Sequence, residues 1–301
     1  MKILILGSNS FSARYFINLC KKKRNKTLCI SRSPQYDKVF LLNKKYKENL
    51  LRADLNKNFS KIKKEILKFK PEYIVNYAAQ GEVRNSWKFP EDWYQTNFLS
   101  SSRLVEFLSE YKKLKKFINI STPEVYGSSK KLIKESNNYD PSTPYALSKL
   151  CLDLNLNLLN KKYNFPFIIT RSSNVYGPGQ QLYRIIPKTI ILLKLGKKIE
   201  LHNRGKTLRD FIHVSDVANF TYNCMVKGKI GETYHCSTNK KPLSINLIVK
   251  KICKIMGKNF RNSVIYKDEN FGQDYCYNLD STRSMSVLKW KPTKELEKGI
   301  R

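Results

Sequence analysis

Tyr145 and Lys149 stand four residues apart in PSTPYALSKLCLDLNL, and Thr122 and Glu124 lie upstream in FINISTPEVYG. The first pair falls in a stretch with the marks of a helix. Thr143 is suited to cap it and Pro144 to take the first helical position, where a missing N–H costs nothing. Four-residue spacing puts the phenol and the ammonium one turn apart on one face. An unperturbed tyrosine titrates near pKa ~10 and is a poor base at neutral pH. A neighbouring ammonium favours the phenolate, as does the positive nicotinamide ring of an oxidised cofactor. A fall of roughly three units, about 4 kcal/mol, brings it to working pH. Such a tyrosinate takes the proton of a sugar or alcohol hydroxyl while hydride leaves the same carbon. Thr122 is expected to hold that hydroxyl in line. By itself, Tyr-x-x-x-Lys is equally compatible with an ordinary capped surface helix.

The helix reads further from its angles. Leu147, Cys151, Leu154 and Leu158 form a stripe roughly opposite the pair. That stripe is expected to pack on a sheet or a neighbouring helix and to turn the phenol and ammonium toward a cleft. Leu152 and Leu156 add a second strip, which predicts burial on two sides and a homodimer seam.

Earlier segments supply what such chemistry needs. Lys2–Leu6 reads as a strand ending in Gly7, then SNSFSA, then a helix over Phe11–Lys22. A strand, a tight turn and a helix N-terminus hold a dinucleotide pyrophosphate on backbone N–H groups. The glycine positions read Gly7, Ser10 and Ala13, a degraded fingerprint in which Ser10 carries a Cβ. Thr27–Ser31 is the next strand, and it runs into Ser31-Arg32-Ser33 with no acid. An NAD site usually offers Asp or Glu there, whereas a cation between hydroxyls suits the 2′-phosphate of NADP. Asn49–Ala53 is a third strand leading to Asp54, placed to accept from an adenine amino group. A helix over Phe59–Phe69 and a buried strand over Tyr73–Tyr77 come next. Ala78-Ala79-Gln80 follows, small enough at its start for a nicotinamide ribose to lie against the backbone. Trp93 to Tyr111 reads as one long helix leading into the strand Phe117–Ser121.

Strand–helix alternation continues to a sixth strand at Phe165–Thr170 and predicts an α/β doubly wound parallel sheet. After it, helices around Ile185–Leu195, from Val214 and over Leu243–Met256 alternate with short strands at Ile199–Leu201 and Glu232–Cys236. This irregular part is expected to form a smaller C-terminal α/β substrate-binding cap. The boundaries are residues 1–172 plus about 210–236 for the dinucleotide-binding domain, and 173–209 plus 237–301 for the cap.

Composition sets outer bounds. The 301 residues are 41% hydrophobic and 12% aromatic, as in a globular protein. Seven cysteines without a C-x-x-C pair fit a reducing cytosol and offer no zinc site. The opening MKILILG is one strand long, too short for a signal peptide, and no apolar run reaches membrane-spanning length. The formal net charge of +33 raises a nucleic-acid partner as a question. The lysines are spread along the whole chain amid many Asn and Ile, which argues for a compositional bias and a basic surface that steers an anionic substrate.

Taken together, Gly7, Asp54, NYAAQ, STPEVYG, Tyr145-x-x-x-Lys149, SSNVYGPGQ and LRDFIHVSDVA resemble the extended short-chain dehydrogenase/reductase family, over nearly the whole chain. The similar branch is the NAD(P)-dependent nucleotide-sugar epimerases and 4,6-dehydratases. The resemblance implies a Rossmann fold and a catalytic set of Thr122, Tyr145 and Lys149. It implies NADP or NAD held around Gly7, Ser10, Phe11, Arg32, Asp54, Leu55, Ala78, Ala79, Tyr145 and Lys149. A nucleotide-diphosphate sugar would be met by Gln80, Asn174 and Arg209. In the dehydratase branch the motif resembles T-(D/S)-E-x-Y-G, and its Glu removes the C5 proton of a 4-keto sugar, which makes Glu124 the fourth catalytic candidate. Pro123 stands where dTDP-glucose enzymes carry an acid; GDP-mannose enzymes lack that acid too and use NADP. Asn270-Phe271-Gly272-Gln273-Asp274 stands in place of R-P-G-x-D, without its arginine, and the chain stops at Arg301, short of a usual final helix. The rival expectations are an NDP-sugar 4-epimerase or 4-ketoreductase, which needs no Glu124, and a non-catalytic RNA-binding relative.

Overall fold

A computed structural model describes residues 1–33, 49–268 and 274–301. Residues 270–273, where the missing arginine was expected, lie outside them. Seven parallel strands form one sheet: β1 Lys2–Leu6, β2 Lys26–Ser31, β3 Leu50–Arg52, β4 Tyr73–Asn76, β5 Lys116–Ile120, β6 Phe167–Ser172 and β7 Glu232–Cys236, in the order β7-β6-β5-β4-β1-β2-β3. Seven longer helices are α1 Phe11–Lys22, α2 Phe59–Phe69, α3 Ser100–Ser109, α4 Pro144–Tyr163, α5 Ile185–Lys194, α6 Val214–Lys227 and α7 Ile245–Ile255.

The strands read as apolar runs because both faces are covered. Leu4, Leu6, Ile74, Phe117 and Ile169 meet Ile62 and Ile66 of α2, Leu104 and Leu108 of α3, and Leu152, Leu156 and Leu159 of α4. Alternate residues Ile3, Ile5, Val75 and Ile118 face Ala13, Phe16 and Ile17 of α1 and Ala218 and Met225 of α6. A separate core gathers Tyr176, Ile186, Leu201, Phe211, Ile248 and Ile252 around α5 and α7.

Most expected elements hold to within two residues, and three differences are informative. The sixth strand begins at Phe167 because Phe165 is used as a wedge against Phe117, ring centroids 5.7 Å apart. The last long helix opens later, since Leu243–Ser244 pairs with Leu208–Arg209 and Ser244 then caps α7. The long helix from Trp93 is interrupted by a π-helical turn over Tyr94–Leu99 before α3. That wider turn, a device common at functional sites, aims Asn97 at the segment after β4. Asn97 Oδ1 accepts from Gln80 N at 2.8 Å, and its Nδ2 donates to Gln80 O at 3.1 Å and to Ser148 Oγ on α4 at 2.9 Å.

The packing of α4 reverses the expectation for its leucine stripe. Thr143 and Pro144 start the helix as expected, with Thr143 Oγ1 accepting from Ala146 N at 3.1 Å. Leu147, Leu154 and Leu158, however, are exposed at 41%, 45% and 64%, and Cys151 is half-buried. The inward face is Ala146, Lys149, Leu152, Asp153, Leu156 and Leu159. The helix crosses the carboxyl edge of the sheet, so the face that carries Lys149 continues downward as the sheet-packing face. Two charged residues on that inner face disguise it as solvent-facing.

Candidate active site

Loops after β1 and β4 part at the point where strand order reverses, the crevice where open α/β sheets take ligands. A cavity of about 220 Å³ lies there, lined by Gly7, Asn9, Ser10, Ser31, Arg32, Ser33, Asp54, Leu55, Ala78, Ala79 and Thr96 among others. Gly7 has φ of +68°, and a Cβ on it would come within 2.5 Å of Ala78 N, so the two loops can approach only without a side chain. Ser10, despite its Cβ, is useful: its hydroxyl caps α1, accepting from Ala13 N at 3.4 Å. Asp54 is oriented by Asn56, whose N–H donates to Oδ1 at 2.8 Å. Arg32 and Ser33 edge the cavity, with Asn9 Nδ2 donating to Ser33 Oγ at 3.0 Å. A dinucleotide fits this cradle: a glycine turn, a capped helix start, a carboxylate on the adenosine side and small residues beyond. Phe11 stands outside the lining, its ring edge-on to Tyr15 at 5.8 Å. Tyr15 in turn donates to Pro178 O at 2.9 Å, which links α1 to the loop after Tyr176. Gln80, expected at the substrate, turns its Oε1 toward Arg32 Nη2 at 3.4 Å, on the cofactor side.

The structure brings Thr122, Glu124 and Tyr145 together between the end of β5 and the start of α4, with Lys149 one helical turn after Tyr145. Thr122 and Lys149 are 4% and 2% exposed. Thr122 opens the 3₁₀ turn Pro123–Tyr126, and its hydroxyl accepts from Glu124 N at 3.3 Å. Burial pushes the Glu124 carboxyl up to about 7, helped by the charge of Asp274 and opposed by Arg209 and Arg184. Burial brings Lys149 down to about 8, with Asp153 one turn away working to keep its proton on.

The sequence expectation for the Tyr145 phenol counts on a positive nicotinamide ring beside it; the protein groups by themselves act the other way. The phenol is driven up, not down, first by burial and then by the Glu124 charge, while the Thr122 hydroxyl and Arg184 pull the other way. Loss of water around the ring outweighs the pull of Thr122 and Arg184.

Beyond the sheet, Asn174 Oδ1 accepts from Tyr277 OH at 2.7 Å, and the Arg209 guanidinium lies over the Tyr277 ring, 4.6 Å from its centroid. Arg209 is 7% exposed and donates to the carbonyls of Leu208, Tyr275 and Asp274 at 2.8, 3.1 and 2.8 Å. Asp274 is held by Ser142, beside the α4 cap, whose Oγ donates to Oδ1 at 2.8 Å. Sequence reasoning missed Arg184, just ahead of α5, whose charge reaches Glu124, Tyr145 and Tyr277. A cation directly after GPGQQLY was the available signal. Among the described residues no three His, Cys, Asp or Glu side chains gather as a metal set.

Comparison with known proteins bears on this geometry. Residues 3–237 match the NAD dependent epimerase/dehydratase family. The chain belongs to that family. It is therefore an enzyme of the nucleotide-sugar branch, with a Rossmann-type sheet. A dTDP-glucose 4,6-dehydratase of Shigella flexneri is 30% identical over 256 residues, 77% of this chain and 71% of that protein. The solved structure of a dTDP-glucose 4,6-dehydratase from Bacillus anthracis, in complex with NAD, superposes with TM-score 0.88 at 25% identity, covering 100% of this chain and 94% of that one. A UDP-glucuronic acid 4-epimerase from Bacillus cereus, in complex with UDP-glucuronic acid and NAD, gives TM-score 0.88 at 25% identity over 100% and 96%.

Within this enzyme Glu124 can act as a base only when ionised. The rate of any proton abstraction it performs is expected to fall below about pH 7, where the carboxyl takes up its proton, and to decline roughly tenfold per unit further down. A pH profile of solvent exchange into the sugar checks this; a rate flat to pH 5 contradicts it.

Proposed function

We propose that the protein is a nucleoside-diphosphate-hexose 4,6-dehydratase, giving the 4-keto-6-deoxyhexose without net consumption of reductant. The observation that carries this is Glu124, a carboxyl raised to about 7 beside the Tyr145 phenol, which an epimerase does not need. The dTDP-glucose dehydratases it resembles make dTDP-glucose the first substrate to try.

Tyr145 takes the C4 hydroxyl proton, with Thr122 holding that hydroxyl in line and Lys149 favouring the phenolate. The nicotinamide, when bound, supplies hydride acceptance at C4 and hydride return at C6. Glu124 removes the proton that the 4-ketone has made acidic at C5. Pro123 has no proton to give the departing C6 hydroxyl, so Glu124 passes its newly gained proton to that oxygen and water leaves. A proton returned to C5 completes the cycle. Residues 173–209 and 237–301 form the substrate cap in this reading, with Asn174 and Arg209 on the diphosphate side.

Glu124→Gln is expected to cut C5 hydrogen exchange with solvent by about 10²–10⁴-fold, the range for a removed general base, while single-turnover oxidation at C4 persists. Unchanged exchange refutes the assignment, and a released 4-epimer with no 4-keto-6-deoxy sugar supports the epimerase instead.

NADP is the cofactor we assign, on Arg32 between Ser31 and Ser33, with Arg52 Nε donating to Arg32 O at 3.4 Å so that a second guanidinium stands at the same rim. Purified protein should retain or bind NADPH over NADH, and Arg32→Asp should reverse the order by about tenfold or more, the worth of one charge-assisted contact. Mass spectrometry of released cofactor and fluorescence titration read this directly; equal affinities in the wild type contradict it.

We further infer a homodimer through α4. Leu147, Leu154 and Leu158 lie exposed along this 20-residue helix, and Leu99 on the neighbouring π-turn is exposed at 52%. A stripe about 17 Å long is self-complementary when two copies meet about a two-fold axis. Leu154→Glu should convert a dimer to a monomer in sedimentation velocity at micromolar concentration; a monomeric wild type contradicts the seam. The odd, uncrosslinked set of seven cysteines supports a cytosolic location.

A further inference from the structure

Behind the reactive side chains runs a chain of buried polar groups that the steps above do not use. Asp153 is 0% exposed; its Oδ2 accepts from Arg171 Nη2 at 2.9 Å and Ser121 Oγ at 2.6 Å, and its Oδ1 from Asn119 Nδ2 at 2.9 Å. Arg171, at the end of β6, is also 0% exposed and packs against the stacked rings of Tyr126 and Tyr139, 4.7 and 5.2 Å from their centroids, the rings themselves being 5.9 Å apart. Its Nη1 donates to the Tyr126 hydroxyl. That hydroxyl is 2.9 Å from Nε2 of His235, whose Nδ1 is 3.2 Å from the carbonyl oxygen of Asp280.

The directions of these bonds follow from the groups themselves. A carbonyl oxygen only accepts, so Nδ1 carries the imidazole proton. Burial and the Arg171 charge push His235 down to about 3 and keep the ring neutral. Nε2 is then a bare acceptor, and the phenol donates to it while accepting from Arg171. Every group has one orientation available, and such a chain is stiffer than its separate bonds.

Tyr126 is the last residue of the 3₁₀ turn that Thr122 opens and on which Glu124 sits. The two ends of the turn are anchored differently. Thr122 follows Ser121, which Asp153 ties to α4. The far end is fixed by the Tyr126 hydroxyl and by a tight passage at Gly127, where φ is +68° and a Cβ would lie 2.5 Å from Asp140 O.

We propose that Tyr126, clamped between Arg171 and His235, is a positioning residue for Glu124: it sets the carboxylate for the C5 step, whereas Thr122, next to the Ser121 that Asp153 holds, and Tyr145, at the start of α4, are held for C4 oxidation without the Tyr126 hydroxyl. This rests on the assignment of Glu124 as the C5 base.

The test separates the two half-reactions in the full-length holoenzyme with dTDP-glucose or another nucleoside-diphosphate hexose that the wild type turns over. Tyr126→Phe keeps the ring and loses the hydroxyl. C5 exchange with deuterated solvent should slow by about tenfold or more, since small misplacements of a reacting group cost up to about 10²-fold. Single-turnover C4 oxidation, read by cofactor absorbance, should stay within about twofold of wild type. His235→Leu, which removes the acceptor from the other side of the phenol, should give the same split, and His235→Gln, which restores an acceptor, should recover much of the exchange. If both variants slow the two half-reactions equally, or leave both unchanged, the proposal is overturned while the Glu124 assignment stands. Absence of C5 exchange in the wild type overturns both.

Discussion

Everything in the site depends on how closely the β1 loop can approach the end of β4. Strand order reverses between these neighbours, so their loops leave in opposite directions and the crevice between them is a property of topology. Its depth is a property of one residue. Gly7 lets its backbone rest against Ala78 N, where a methyl group would collide at 2.5 Å. From that contact the remaining parts follow in order: α1 starts with its N-terminus toward the cavity, Ala78 and Ala79 leave room beyond it, and Asn97 pins Gln80 in place.

A second constraint fixes the reactive end. Asp153 joins the ends of β5 and β6 to α4 through Asn119, Ser121 and Arg171. A fully buried ion pair is weak evidence for stability, because desolvation offsets much of its attraction. Breaking one is different: removal of a single partner leaves a buried charge and costs about 3–5 kcal/mol. The pair is better understood as a device that permits one arrangement of three elements. Lys149, one turn earlier on the same helix face, inherits its position from this arrangement.

What could be read from the sequence was whatever local chemistry determines. Thr143 and Pro144 start a helix for reasons contained in a few residues, and Gly7 before a helix marks a close turn wherever it occurs. The alternation of strands and helices exposed the sheet in the same way. The leucine stripe of α4 misled because amphipathicity assumes that charge faces water, whereas Lys149 and Asp153 are buried, Asp153 with partners at the ends of β5 and β6. The π-turn at Tyr94–Leu99 leaves no compositional trace, since its cause is the need to point Asn97 at a segment 17 residues earlier. Arg171 and Arg184 were hidden among 57 basic residues; one became a buried strut and the other faces the carboxylate and phenol only after the chain has folded.

The upward shifts of Glu124 and Tyr145 have a consequence for the order of events. Each group is raised partly by burial, and the Glu124 charge is the second influence on Tyr145. Two anions this close in a poorly solvated site oppose each other, so their protonation states are coupled. A tyrosinate forms most easily while Glu124 holds its proton. In the proposed reaction, once Tyr145 has taken the C4 hydroxyl proton it is neutral and its opposition to an ionised Glu124 is gone. The carboxylate is then easier to form than while a tyrosinate stands beside it. Arg184 and Arg209, which both lower Glu124, keep that ionised form within reach of neutral pH. A phenolate and a carboxylate that oppose each other in this way favour one proton abstraction at a time in the proposed reaction.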